Sequence, residues 1–244
     1  MSVRKSIGAA IAALFASAPL SAQTLQNVAG TAYYAPSIGN FSTLGNNLFG
    51  MLVTGRFSDG QVFSGNWGAL SGSLTGVSFA SRFSLTLGAT TNTFGNPFSL
   101  TVFGAGNTLQ SLTLSGASGP VVFDRTFGGV EGTTTSASGS DLLYYQTDNW
   151  NTLATYRNSV QLVGSAGPIG DLWETLILDF QAGLTGANGG GRLIRFSQDV
   201  DNVIDNGLLM PVPEPAILLL TAAGLSLTFL VVRRRRLAET KRVR

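Results

Sequence analysis

The chain has 244 residues with no cysteine and no histidine, and its two lysines, Lys5 and Lys241, lie near the termini. Without cysteine there is no disulfide framework, so the core must hold the fold unaided. Without histidine, Ser-His and Cys-His catalysis and imidazole metal ligands are excluded. Charge is scarce, at 11% of residues. Between Thr24 and Val212 six arginines face eleven Asp or Glu, a net charge of −5, although the whole chain is +2. Nucleic acid is excluded as a partner, because phosphate binding draws its affinity from cations. What is plentiful is glycine, 31 residues, together with Ser, Thr and Asn. Glycine costs roughly 1 kcal/mol in a helix interior, so this composition suits short strands and tight turns. A hydrophobic fraction of 44% is too high for intrinsic disorder.

The basic residues excluded from that count sit at the two ends. Arg4 and Lys5 precede an apolar run from Ile7 to Phe15 and then small residues, the pattern of a secretory signal peptide over 1–22. Cleavage is expected after Ala22 by signal peptidase. Ala16-Ser17-Ala18 offers another small-residue site, but Pro19 would follow that cut. At the other end, Ala216 to Val232 carries no charge and would span about 26 Å as a helix at roughly 1.5 Å per residue. With snorkelling or local thinning that crosses a bilayer, so 216–232 is expected to be a single transmembrane helix. Arg233, Arg234, Arg235 and Arg236 follow at once and should hold the tail, 233–244, on the cytoplasmic side. Pro213 and Pro215 impose an extended entry and present Glu214 on accessible chain within a linker at 207–215.

The order Pro213-Glu214-Pro215, apolar span with Gly224-Leu225 near its middle, then Arg233 to Arg236, resembles the PEP-CTERM sorting signal. The resemblance covers the last thirty or so residues and leaves 24–211 untouched. It implies a Gram-negative, exopolysaccharide-making bacterium and processing by an exosortase-type membrane protease near the motif. It also implies an inner-membrane anchored precursor, then release or transfer to the cell surface. Pro213, Glu214 and Pro215 would be the recognition element, and the four arginines the retention signal. The tail after the arginines is somewhat longer than the compact ending of the family.

The exported domain, 23–206, reads as short alternating strands. In "SFASRFSLTLG" Phe79, Phe83, Leu85 and Leu87 share a face, and "PFSLTVFG" repeats the pattern with Phe98, Leu100 and Val102. "LQSLTLSG" turns Leu112 and Leu114 inward, and "VVFDRTF" sets Val121, Phe123 and Phe127 against Asp124 and Thr126. "LILDF" and "RLIRF" add two more. "MLVTGRFSDGQVFSGNW" predicts a hairpin turning at Ser58-Asp59-Gly60. A helix across 141–156 is poorly patterned. The expected fold is all-β: one antiparallel, jelly-roll-like β-sandwich. "LTGANGGGRL" is a turn, since it lacks the Gly-Lys-Ser/Thr ending of a phosphate loop.

Three constellations carry possible chemistry. Asp199, Asp201 and Asp205 in "QDVDNVIDNG" could surround calcium, although no Gly or Glu completes a calcium loop. Tyr144, Tyr145, Trp150 and Tyr156, with Asp141 and Asn151 nearby, could form a glycan-stacking surface; their ordinary role is to fill a core. Glu131, Asp171, Glu174 and Asp179 are the carboxylates a glycosidase would need in a close pair. None of these is a catalytic signature, so no enzyme activity and no cofactor are expected. The expected role is structural or adhesive, in exopolysaccharide or biofilm at the surface. The competing reading is a glycan- or ice-binding module on the same tail; the run "GTTTSASG" clusters threonine in a turn instead of arraying it on a sheet face.

Overall fold

The computed structural model describes residues 23–28, 30–38, 43–125, 139–145, 151–163, 172–203 and 208–212. The signal-peptide stretch, the apolar span, the arginine cluster and the Pro213-Glu214-Pro215 motif lie outside them. Among the described residues no helix is long and apolar enough to cross a membrane.

The chain runs through β1 (Thr24–Val28), β2 (Tyr33–Ala35), a short 3-10 turn (Gly45–Leu48), β3 (Leu52–Phe57), β4 (Val62–Asn66) and β5 (Gly68–Ala69). It continues through β6 (Leu74–Phe79), β7 (Phe83–Gly88), β8 (Phe98–Val102), β9 (Thr108–Ser115) and β10 (Val121–Asp124). The later strands are β11 (Leu143–Tyr144), β12 (Thr152–Leu162), β13 (Leu172–Thr185), β14 (Arg192–Ser197), β15 (Val200–Asn202) and β16 (Met210–Pro211).

They form two sheets in a sandwich-like, all-β body. The larger follows the order β16-β2-β12-β13-β9-β3-β4, with β1 beside β12, β10 beside β13, and β15 beyond β10. The smaller has the order β11-β14-β8-β7-β6-β5. Pairing is antiparallel except where β1 and β2 lie in line along β12, both parallel to it.

Alternation explains the layers. In β7 and β8 every second residue is buried, so Phe83, Leu85, Phe98 and Leu100 face inward while Ser84, Thr86, Ser99 and Thr101 face out. Val53, Phe57, Leu112 and Leu114 of the larger sheet meet them in one apolar cluster. Trp67, between β4 and β5, crosses from one sheet to the other. Its ring lies 5.7 Å edge-on from Phe98, and its Nε1–H donates to the Gly45 carbonyl at 2.9 Å. Each such aromatic contributes about 1.5–3 kcal/mol by leaving water.

The hairpin at Ser58-Asp59-Gly60 is present, with Gly60 at φ +82 where a side chain would be strained. "SFASRFSLTLG" is two strands instead of one. The chain turns at Ala80–Arg82, with Ser81 at φ +67, and Phe79 pairs across the turn with Phe83, their rings 5.1 Å apart. A spacing of four keeps both rings on one face along a single strand as well, so alternation alone did not reveal the turn. Residues 143–144 and 152–156 are strand where a helix had been considered.

Candidate functional site

A second, smaller apolar cluster covers the other face of the larger sheet at its β2 and β10 end, built from Ala35, Ile38, Val122, Val160, Leu172, Val203 and Leu209. Strand β10 is therefore buried on both faces, which is why all four of its residues are covered. Asp124 ends this strand. Its backbone N–H donates to the Asp199 carbonyl at 3.1 Å, and Val122 pairs with Asp201, so the two strands run antiparallel with Asp124 beside Asp199. Residues 199 and 201 are two apart and share a face. Asp124, Asp199 and Asp201 are all buried, and a carboxylate oxygen from each lies within 4.8 Å of those of the others.

Burial first, and then the Asp124 charge, push the Asp199 carboxyl up to about 7. At neutral pH this group is close to half protonated. The oxygen-only donor set has the chemistry of a hard divalent cation, calcium above all. A proton and such a cation would compete for the same charge deficit.

Gln198 holds the backbone of this centre in place. Its amide Nε2 donates to the carbonyls of Asp124 (2.9 Å), Ser140 (3.0 Å) and Asp199 (2.9 Å). Its Oε1 accepts from the Tyr156 hydroxyl, which in turn accepts from the Leu142 N–H at 2.9 Å. The guanidinium of Arg125 lies 4.7 Å over the Tyr156 ring and pairs with Asp141 at 2.6 Å. Arg125, the residue just past the end of β10, is thereby committed to Asp141 and the Tyr156 ring. Gly139 packs so closely on Asp124 that a Cβ there would sit 2.5 Å from its Oδ1.

Against the expected ligand set, Asp199 and Asp201 do converge, but their described third partner is Asp124 from a neighbouring strand; Asp205 lies outside the described residues. Alternation in "VVFDRTF" puts Asp124 on the outward side of its strand. The missed signal was its place at the end of an apolar run, where the strand proves to be covered on both sides.

The aromatic group disperses. Tyr156 is fully buried, and burial pushes its hydroxyl well above its ordinary value. It cannot stack on a sugar. Tyr144 packs edge-on to Phe196 at 6.3 Å, donates to Thr152 Oγ1 at 3.0 Å, and is pushed up to about 12 by burial. Tyr145 donates to the Gly95 carbonyl. Trp150 lies outside the described residues. Tyr144 and Tyr156 behave as aromatics in cores usually do.

Of the carboxylates a glycosidase would pair, Glu131 and Asp171 lie outside the described residues. Glu174 is buried and occupied. It accepts from Ser115 Oγ, the Ala117 N–H (3.1 Å), Asn158 Nδ2 (2.7 Å) and Thr175 Oγ1. Asp179 is on the outer face of β13, opposite Ser111 and Leu153.

No protein family, no curated protein and no solved structure matches this chain.

Proposed function

We propose that the protein is exported and sorted through its PEP-CTERM-like tail to the cell surface or surrounding matrix. There it serves as a structural or adhesive component of exopolysaccharide or biofilm. Its partners are signal peptidase, an exosortase-type protease, the membrane in the precursor, and polysaccharide. The domain is read as a jelly-roll-like sandwich extended by the parallel strands β1 and β2, and it acts as a binding body without catalysis of its own.

The observation that carries this reading is the junction between body and tail. Strand β16 lies on β2, Met210 pairing with Tyr34 and Pro211 with Tyr33. The Val212 N–H then donates to the Ala32 carbonyl at 2.7 Å, and Pro213 is the next residue. A folded body thus leads straight into the three-part tail, the order that a sorted surface protein requires. The hydroxyl-rich outer faces of both sheets support a role among hydrated polymers.

The glycan-binding version of the alternative is favoured over ice binding. Thr54, Thr113 and Thr155 do share one cross-strand row, but Ile177 interrupts it and Arg56, Asp179 and Arg157 flank it. The run "GTTTSASG" lies outside the described residues except for Gly139.

The test is the intact mass of protein recovered from cell envelope and medium. A product starting near Gln23 and ending close to Pro215 is expected. A product that still carries Arg244 would reduce the tail to a membrane anchor and remove the sorting mechanism.

A further inference from the structure

The outer face of the larger sheet is crossed by a polar trough. Its cross-strand row can be followed residue by residue. Arg56 on β3 lies opposite Ser111 on β9, Ser111 opposite Asp179 on β13, Asp179 opposite Leu153 on β12, and Leu153 beside Thr24 on β1. Five strands at about 4.8 Å separation make the row about 19 Å long, at right angles to the strands.

Two irregularities dig the trough. The register of β9 against β3 shifts at Gln110, and that of β13 against β9 shifts between Asp179 and Leu184. Bulges at the same level on adjacent strands bend the sheet and re-aim the side chains that follow. Gly183, at φ +70 and with a would-be Cβ 2.4 Å from Thr108 Cγ2, lets β13 pass through the kink. The result is a cleft of about 620 Å³ over Arg56, Ser111 and Asp179, and a second of about 280 Å³ over Thr24, Asn151 and Leu153. Gln181 lines both, so the two clefts adjoin along the row.

The lining determines the ligand class. Arg56 and Asp179 lie two strands apart and do not pair with each other, and among the described residues neither side chain has a hydrogen-bond or ion-pair partner. The uncharged polar groups between and beside them are hydroxyls and primary amides, among them Ser111, Gln110, Gln181 and Asn151, with Leu153 in the same row. One positive and one negative group cancel, so a polyanion attracted by Arg56 meets Asp179 within the same cleft. A fork of guanidinium donors, a carboxylate acceptor and amides that do both match vicinal sugar hydroxyls in pairs. The trough is open and elongated, which suits a chain more than a compact molecule. Among the described residues Asp179 is the only carboxylate lining either cleft, where glycoside hydrolysis would need a close pair.

We propose that this trough is a binding site for a neutral polysaccharide strand, lying across β3, β9, β13, β12 and β1. The proposal rests on the surface reading above only for where such a strand would be met. It also shifts sugar binding from the rings of Tyr144, Tyr145, Trp150 and Tyr156 to clefts whose described lining presents no exposed aromatic ring, where hydrogen bonds carry the recognition.

The test is affinity electrophoresis of the full-length chain in detergent, through gels containing β-1,3-glucan, dextran, galactomannan or alginate. Retardation by at least one neutral polymer is expected. The exposed pair R56A/Q181A should weaken it at least tenfold with an unchanged near-UV circular dichroism spectrum. T101A, on the outer face of the smaller sheet, should leave it unchanged. Absence of retardation by every neutral polymer, retardation by alginate alone, or equal retardation of R56A/Q181A would overturn the proposal. If R56A/Q181A proves misfolded, S111Y decides in its place: it blocks the floor of the trough and must abolish retardation. None of these outcomes depends on export, so failure here leaves the sorting reading standing, and failure of sorting leaves this site standing.

Discussion

The larger sheet buries carboxylates in two places and treats them differently. Glu174 is one charge surrounded by four donors, from Ser115, Ala117, Asn158 and Thr175. The Asp124–Asp199–Asp201 centre brings three carboxylates together within 4.8 Å. Burial costs a carboxylate heavily unless donors or a counter-charge replace its water. At Glu174 donors do so, and the side chain ties β9, β12 and β13 into one unit. At the trio, like charges stand against one another, and a proton on Asp199 relieves part of the cost. A buried carboxylate is thus a structural fastener in one place and one of three crowded like charges in the other.

Removing the carboxylate at each place should therefore act in opposite directions. The largest effect is expected for E174A, which takes the acceptor from four buried or part-buried donors and should cost about 3 kcal/mol in urea denaturation. A cost below that of an ordinary surface substitution would mean the donors find other partners.

D124N should stabilise. It removes the neighbour that raises Asp199, and a gain of about 1 kcal/mol is expected at pH 8 in chelator. The pH dependence of the parent follows from the same centre. Asp199 has a folded value of about 7 against an ordinary 3.8. The unfolded chain therefore releases its proton first, and stability through this group is complete below about pH 4, falls as pH rises through about 7, and is flat above that. In chelator the thermal midpoint should fall from pH 5.5 to pH 8, and this fall should shrink in D124N. Calcium that raises the midpoint at pH 8 in the parent but not in D124N would identify a cation as the partner of the trio. Equal midpoints would leave the proton alone in that role.

The smallest effect is expected for D59A. Asp59 is exposed, and the Gln61 N–H first, then Arg82, hold its carboxyl below the ordinary value. Its loss should shift the midpoint less than either change above, and the shift should vanish in high salt, as for surface pairs generally. A loss as large as that of E174A would show that the Arg82 cluster, with its guanidinium over Phe57 and Phe63, fastens the turns rather than decorating them.

Much of the fold was legible because alternation is local. Phe83, Leu85 and Leu87, or Phe98, Leu100 and Val102, announce an inner face at period two whatever lies opposite, and Asp59-Gly60 announces a turn. The candidate sites were legible only in part. Asp199 and Asp201 share a face by spacing alone, but Asp124 stands seventy-five positions earlier, and only the β10–β15 pairing brings it to them. Tyr156 looked like one ring of an exposed aromatic group, yet its place in β12 turns it toward Gln198 and the core. Nothing in "TLQSLTLS" or "LDFQAGLT" marks the adjacent bulges that open the trough, since a bulge is a mismatch between two strands and belongs to neither alone.

The sequence by itself determined the class of the domain, its acidic charge, the absence of thiol and imidazole chemistry, and the three-part ending that motivates the sorting proposal. These follow from composition, from period-two patterning and from the order of segments along one chain. Tertiary structure decided which strands became neighbours, and with them the parallel seat of β1 and β2 on β12, the third carboxylate of the trio and the course of the trough. Each of these depends on contacts between residues far apart in the chain, which no local pattern of side chains encodes.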